Sequence, residues 1–301
     1  MRAEGAIYCM GTVFNVVAYG PHRERLNSAI TQALEEAKRF DEMLSNYRPE
    51  SDLSQVNRLA SRGPVTVSTE LFEFLSVCLA YSRASEGAFD ITVGPLVKVS
   101  GFFKDTGRLP RPKEVLRALD KVGYRKLILD EQNTTVCFAE EGVELDPGGI
   151  GKGFAVDKMA EVLRRNRVHS ALICAGGSTI YALGAPPNES GWKVSIKDPH
   201  KPSTVIETVR LKNEAISTSG AAEKFFCDDG KIWGHIMDPR TGYSSMDTLA
   251  VSVIASQAVD SEAWTKPYFI LGRAWTEKHK PHNFRVFYSE GKPHSLCSWL
   301  Q

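Results

Sequence analysis

The sequence predicts an α+β fold in which helices and strands occupy separate stretches of the chain. Apolar residues recur at helical spacing through residues 23–84, whereas residues 171–255 break into short β-branched runs separated by turns. A doubly wound sheet would need strands and helices to alternate, and they do not. With 301 residues and 42% hydrophobic content the chain can build a substantial core. No repeat, low-complexity tract or linker interrupts it, so one two-lobed unit spanning 1–301 is expected, with mixed or antiparallel sheets and flanking helices.

Residues 7–19 (I-Y-C-M-G-T-V-F-N-V-V-A-Y) predict a strand pair or one long bent strand. Leu26, Ile30, Ala33, Leu34, Ala37, Phe40 and Leu44 mark one face of a helix over 23–44. A shorter helix follows Ser51 with Leu53, Val56 and Leu59. Ser68 caps a third that carries Leu71, Leu75, Cys78 and Leu79 and ends before Gly87. Pro112 suits a first helical turn, continued by Val115, Leu116, Leu119 and Val122 and stopped by Gly123. Residues 126–138 read as a hairpin. A glycine-rich loop at 146–151 opens a helix with Val156, Met159, Ala160 and Leu163. Short strands are expected at 171–175, 178–184, 192–197, 205–211, 214–218, 232–237 and 249–255, then a helix near 257–271 and strands at 283–289 and 294–299.

Thirty-seven Lys and Arg face 36 acids, a net charge of +1, so no global basic excess argues for nucleic acid. The six cysteines lie far apart, without C-x-x-C or a His at finger spacing, and are expected as buried reduced thiols. No run approaches the roughly 18 apolar residues of a membrane span. The start lacks a charged segment followed by an apolar one, so the expected location is cytoplasmic, unless a leader has been removed.

Four stretches can carry chemistry. In D-P-G-G-I-G-K-G (146–153), Asp146 and Gly153 stand where a Walker A loop needs Gly and Ser/Thr, and Phe154 breaks a dinucleotide fingerprint. What survives is a set of glycines entering a helix, either an anion cradle or a tight strand-to-helix turn. In H-I-M-D-P-R-T-G (235–242), His235 is a catalyst or ligand, or the lead-in to a polar turn; S-T-S-G (217–220) bonds phosphate or caps a turn. In G-A-F-D-I-T-V-G-P-L (87–96), Phe89 and Asp90 face a ligand, or Asp90 caps the next helix. Tyr47, in a polar loop, stacks on a flat ring or covers the core. His279 and His282 flank Pro281, which breaks the helix that would align them, so they read as surface loop.

Taken in order with M-G-T-V-F (10–14), S-N-Y-R-P-E-S-D-L-S-Q-V-N (45–57), A-G-G-S (175–178) and A-I-S-T-S-G (215–220), these stretches resemble the ApbE family of flavin transferases, from Met10 to about Gly272. The resemblance implies an α+β fold with FAD in a cleft between two lobes. It also implies Mg²⁺-assisted cleavage of the FAD pyrophosphate, transfer of FMN to a Ser or Thr hydroxyl of an acceptor protein, and release of AMP. Two other outcomes fit the same motifs: hydrolysis of FAD to FMN and AMP, and binding of FAD by a chain whose metal site has decayed. By motif, Met10, Tyr47, Ala88, Phe89 and Asp90 would line the flavin nucleotide, joined by Gly148, Lys152 and Phe154 and by His235 with Ile236. The Gly151 carbonyl would be a metal ligand. His235 is the first candidate for the general base, with Asp90 or an acid near 260 as rivals.

The departure lies in V-D-S-E-A-W-T-K-P-Y-F-I-L-G (259–272), where the family usually shows A-D-A-x-x-T-A with Asp and Thr as metal ligands. The ungapped register puts Glu262 and Lys266 at those positions. Matching by chemistry selects Asp260 and Thr265, which are five apart and face differently on a helix. In the preferred, ungapped register Glu262 and Lys266 either form a helix-face ion pair, or Lys266 partly replaces the metal charge at the pyrophosphate.

Overall fold

A computed structural model of the chain describes residues 1–102, 107–201, 203–220, 225–228, 231–245, 248–290 and 297–300, without the side chains of 226–228 and 231–232. The Cys227 thiol and residues 294–296 of the last expected strand therefore lie outside the described residues.

The chain opens with a hairpin of β1 (Arg2–Cys9) and β2 (Thr12–Tyr19), joined by Met10 and Gly11, both at positive φ (50° and 73°). Two such residues give the mirror-image turn whose twist matches paired strands. Of the two expectations for residues 7–19 the strand pair is the one seen, and β1 starts earlier, at Arg2. Next come α1 (Arg23–Leu44), α2 (Asp52–Leu59), β3 (Val65–Thr66), α3 (Thr69–Ala84), α4 (Gly94–Val99), α5 (Pro112–Leu119), β4 (Leu127–Asp130) and β5 (Thr135–Phe138). Ser51 and Ser68 cap α2 and α3 by accepting from the backbone N–H groups of Ser54 and Leu71. Strands β3, β5 and β4 form a small antiparallel sheet.

The second half supplies α6 (Gly151–Arg165), β6 (Ser170–Ala175), β7 (Thr179–Leu183), β8 (Trp192–Lys197), β9 (Val205–Leu211), β10 (Glu214–Gly220), β11 (Phe225–Asp228), β12 (Lys231–Gly234), β13 (Thr248–Ala255), α7 (Ala258–His279), β14 (Arg285–Glu290) and β15 (Ser298–Trp299). The main sheet runs β1-β2-β6-β7-β10-β13-β14-β15, every neighbouring pair antiparallel. Helices α1, α6 and α7 cover one face, packed in chain order across its strands. Alternation along β2 shows why: Phe14, Val16 and Ala18 are buried in the core that includes those helices, while Val17 and Tyr19 pack with the β8–β9 hairpin on the other face.

Two local results depart from expectation. Helix α7 outruns the expected 257–271 and reaches His279, because Gly272 (φ 77°, ψ 179°) breaks it and a second helical stretch resumes. Among the thiols, Cys9 and Cys78 are buried and Cys137 and Cys174 half-buried, but Cys297 is exposed, since the short β15 lies at the edge of the sheet. Among the described residues no helix is long and apolar enough to cross a membrane.

Candidate active site

The site is built where α6 starts against the first turns of α7. A Cβ on Gly153 would stand 2.5 Å from the Ala258 carbonyl oxygen, so only glycine lets the two helices approach this closely. Asp157, one turn further along α6, accepts the Ala258 and Val259 N–H groups (2.8 Å each) and thereby caps the N-terminus of α7. Burial pushes the Asp157 carboxyl up to about 6, despite those hydrogen bonds.

This crossing brings Glu262, on α7, to the first turn of α6, and the carboxylate is only 2% exposed. One oxygen lies 2.5 Å from Lys152 Nζ; the other accepts the Gly153 N–H. Burial raises the Glu262 pKa, but the Lys152 and Lys266 charges and these hydrogen bonds outweigh it and hold the group below its ordinary value. Lys266 runs back along α7 and donates to the Glu262 carbonyl oxygen (3.1 Å). Its Cε lies 3.5 Å from where a Cβ of Gly149 would be, alongside the glycine-rich loop.

That loop is itself firmly held. Asp146 accepts the Gly148 N–H (2.8 Å), and residues 147–149 make one tight turn before α6. The Asn57 side chain pairs with both backbone groups of Leu145 (2.7 and 3.0 Å), tying α2 to the loop. Asn57 lies within the 45–57 motif, but an amide bridging 88 residues of chain leaves no local signal of this role. Between these elements lies a polar cavity of about 240 Å³ lined by Asn46, Asn57, Arg58, Lys98, Glu144 and Asp146, among others. Tyr47, next to Asn46, is 67% exposed and covers no core.

Several residues from distant motifs meet at this loop. The Phe89 ring lies 3.4 Å from the Cβ position of Gly149, and Met10 Cε lies 3.1 Å from that of Gly151. Met10 keeps its positive φ at the hairpin tip, where its N–H donates to Asp41 (2.9 Å). Ala88 is buried beside Phe89, and Phe89 packs edge-on to Tyr81, which packs edge-on to Trp264 of α7. Phe154 turns its ring into the core, edge-on to both Phe40 and Phe74, which leaves its backbone as the part near the loop.

Asp90 is buried, and its carboxylate holds the backbone. One oxygen accepts the N–H and hydroxyl of Thr92, the other the Tyr124 N–H (2.6 Å). Burial raises its pKa and these bonds only partly offset that. The helix-cap alternative is corrected here: α4 begins at Gly94 with Val93 at the cap position. His235, half-buried, faces the Phe102 ring edge-on (6.3 Å between centroids). Ile236 belongs to the apolar cluster of Val251, Tyr268 and Phe269. Beyond it, Asp238 accepts from the Arg240 backbone and guanidinium, and Gly242 turns against Val115 of α5.

The two registers of the 259–272 segment are resolved in space. Asp260 accepts the Tyr81 hydroxyl (2.6 Å), whereas the Thr265 hydroxyl donates to the Glu262 carbonyl oxygen and pairs with Ser219 (2.7 Å each). They occupy different sides of α7, and Glu262 is the acid brought to the loop. The helix-face ion pair expected of Glu262 with Lys266 is corrected too: the carboxylate pairs with Lys152, because α6 starts beside it. The hydroxyls of S-T-S-G neither await a phosphate nor cap a turn: Ser217 and Ser219 join β10 to Ser261 and Thr265 of α7, and Thr218 pairs with Ser252 of β13. His279 stacks on Trp275 at the end of α7 and His282 is exposed, as surface residues. Among the described residues no three His, Cys, Asp or Glu side chains gather as a metal cluster.

Comparison with known proteins bears on the family and the fold. A profile of the ApbE family matches residues 10–285. A FAD:protein FMN transferase of Klebsiella pneumoniae (strain 342) is 34% identical over 253 residues, covering 83% of this chain and 77% of that protein. One from Treponema pallidum (strain Nichols) is 33% identical over 293 residues, covering 90% and 78%. The crystal structure of an ApbE protein from Thermotoga maritima MSB8 superposes with a TM-score of 0.91 at 26% identity, over 99% of this chain and 97% of that one. The flavin transferase ApbE from Vibrio cholerae, at 24% identity and a TM-score of 0.83 over 98% and 95%, shares the fold.

Proposed function

Since this chain belongs to the ApbE family, we propose that it transfers FMN from FAD to a hydroxyl of an acceptor protein and releases AMP. The observation that carries the reading is the meeting of Lys152, Lys266, Phe89 and Met10 around the glycine-rich entrance to α6. Glycines at 148, 149 and 151 let Asp146, Phe89, Lys266 and Met10 close on the loop backbone, and the two lysines complement a pyrophosphate's charge. Met10, half-buried, offers apolar surface beside that charge, and Tyr47, exposed in the loop after α1, is available for stacking on a flat ring.

The acceptor, a Ser or Thr hydroxyl, attacks the flavin-side phosphorus, and His235 takes its proton. Asp90 serves instead as a positioning residue, since both its oxygens are engaged by Thr92 and Tyr124. The expected Mg²⁺ does not fit the residues present. Both Glu262 oxygens already accept hydrogen bonds, Lys266 stands in place of an oxygen ligand, and Asp260 and Thr265 lie on other sides of α7, bonded to Tyr81 and Ser219. A location in the cytoplasm is consistent with the absence, among the described residues, of a membrane-crossing helix, and remains part of this proposal.

The test is product analysis of FAD incubated with the protein and a threonine-containing polypeptide from a flavin-carrying subunit. AMP together with an acceptor heavier by one FMN less water is the expected result. AMP and free FMN with an unmodified acceptor would mean hydrolysis, and bound but intact FAD would mean a binding protein.

A further inference from the structure

Glu262 and its neighbours form a charge cluster that differs in kind from a metal site. A single buried carboxylate holds Lys152 at 2.5 Å and the Gly153 N–H, while Lys266 reaches the carbonyl oxygen of the same residue at 3.1 Å. These three side chains together carry one positive charge more than negative, beside Gly149 at the start of α6, where the helix dipole adds to it. We infer that the two ammonium groups, Lys266 above all, supply the positive charge at the FAD pyrophosphate, so that this chain cleaves FAD without a divalent cation. The inference rests on the transferase reading and deepens it.

Three features of the geometry support it. A divalent ion would have to compete with Lys152 and a backbone N–H for a carboxylate bonded at both oxygens, and would sit against two ammonium groups. The Lys266 arm is half-buried and runs beside the loop, its Cε 3.5 Å from where a Gly149 Cβ would be. An ammonium is also a compact charge with three rotatable donors, suited to phosphate oxygens. In the reaction, the acceptor oxygen bonds to the flavin-side phosphorus while the bond from that phosphorus to the bridging oxygen breaks. The electron pair leaves with AMP, the hydroxyl proton goes to the base, and nothing is oxidised or reduced. The lysines offset charge on the non-bridging oxygens and on the departing AMP phosphate.

The experiment compares the wild type with Lys266→Met, Lys266→Arg and Lys266→Thr, all freed of metal, in EDTA and in Mg²⁺. AMP release is read alongside FAD and riboflavin affinity and Mn²⁺ binding by electron paramagnetic resonance. Wild-type rates are expected to agree within about twofold in the two buffers, and Lys266→Met to lose on the order of 100-fold in EDTA. Lys266→Arg should keep most of the rate, and Lys266→Thr should gain Mn²⁺ binding. Lys266→Met should weaken FAD about tenfold or more and leave riboflavin, which has no pyrophosphate, unchanged. A wild type that is inactive in EDTA and restored by Mg²⁺, or that binds one Mn²⁺ tightly, overturns the inference; so does equal weakening of FAD and riboflavin. Absence of AMP from every arm would sink the transferase reading, while the Mn²⁺ and FAD-against-riboflavin arms would still decide the charge role.

Discussion

A hydrogen atom at Gly153 sets the distance between α6 and α7. With a methyl there, Cβ and the Ala258 carbonyl oxygen would be 2.5 Å apart, and the backbone, not a side chain, would have to move. Gly153→Ala should therefore destabilise the fold by about 1–3 kcal/mol, the usual cost of overpacking. Urea titration would show a lower midpoint with an unchanged slope; a midpoint within error of the wild type would contradict the close crossing. The same residue shows what a sequence can tell. G-I-G-K-G announces a tight backbone, but not that its third glycine faces a carboxylate 109 residues away. Glu262 and Lys266 were legible as a departure from a family pattern. Their partners were not, because the i,i+4 rule pairs them with each other, whereas the helix crossing gives the carboxylate to Lys152.

Among the elements, the contact between α6 and α7 depends on Asp157, which serves one helix as a side chain and the other as a cap. Its carboxyl rises to about 6 in the folded protein, chiefly through burial, from an ordinary value of 3.8. The folded state thus binds more protons than the unfolded state between those values, so this group's contribution to stability falls as pH rises through the window and is flat above it. Asp157→Asn lacks that titration while keeping one acceptor. The expected outcome is that the stability difference, wild type minus variant, declines between about pH 4 and pH 6 and stays level from 6.5 to 8. Urea unfolding of both proteins across that range is the check, and a parallel pair of curves would refute it. Element boundaries themselves were mostly readable: α1 occupies the expected 23–44, and Ser51 and Ser68 cap as expected. The short β3 and α4 were missed because their two and six residues carry too little periodicity to register.

For the molecule as a whole, the antiparallel order β1-β2-β6-β7-β10-β13-β14-β15 could not be read from local pattern, since it depends on which helix returns to which strand. That order gathers the hairpin tip, the glycine-rich loop and the first turns of α7 on one side, while the turn after His235 docks on α5, outside the main sheet. Gly242 is the anchor of that docking. It has φ 79°, and a Cβ there would meet Val115 at 2.5 Å and Leu119 at 3.1 Å. A side chain at Gly242 must shift the Asp238–Gly242 turn that follows His235, or the Val115 and Leu119 side chains it rests on; the atoms it meets first belong to α5, not to the Lys152–Glu262–Lys266 cluster. If His235 takes the acceptor proton, a displacement on the order of 1 Å should cost about 100-fold in AMP release under saturating FAD. FAD affinity, assigned in the proposal to the loop and its lysines, should change by less than about threefold. Gly242→Ala assayed for turnover and for FAD binding by fluorescence quenching separates the two. A parallel loss of both would place His235 in the binding of FAD rather than in the chemical step, and unchanged turnover would remove it from the mechanism.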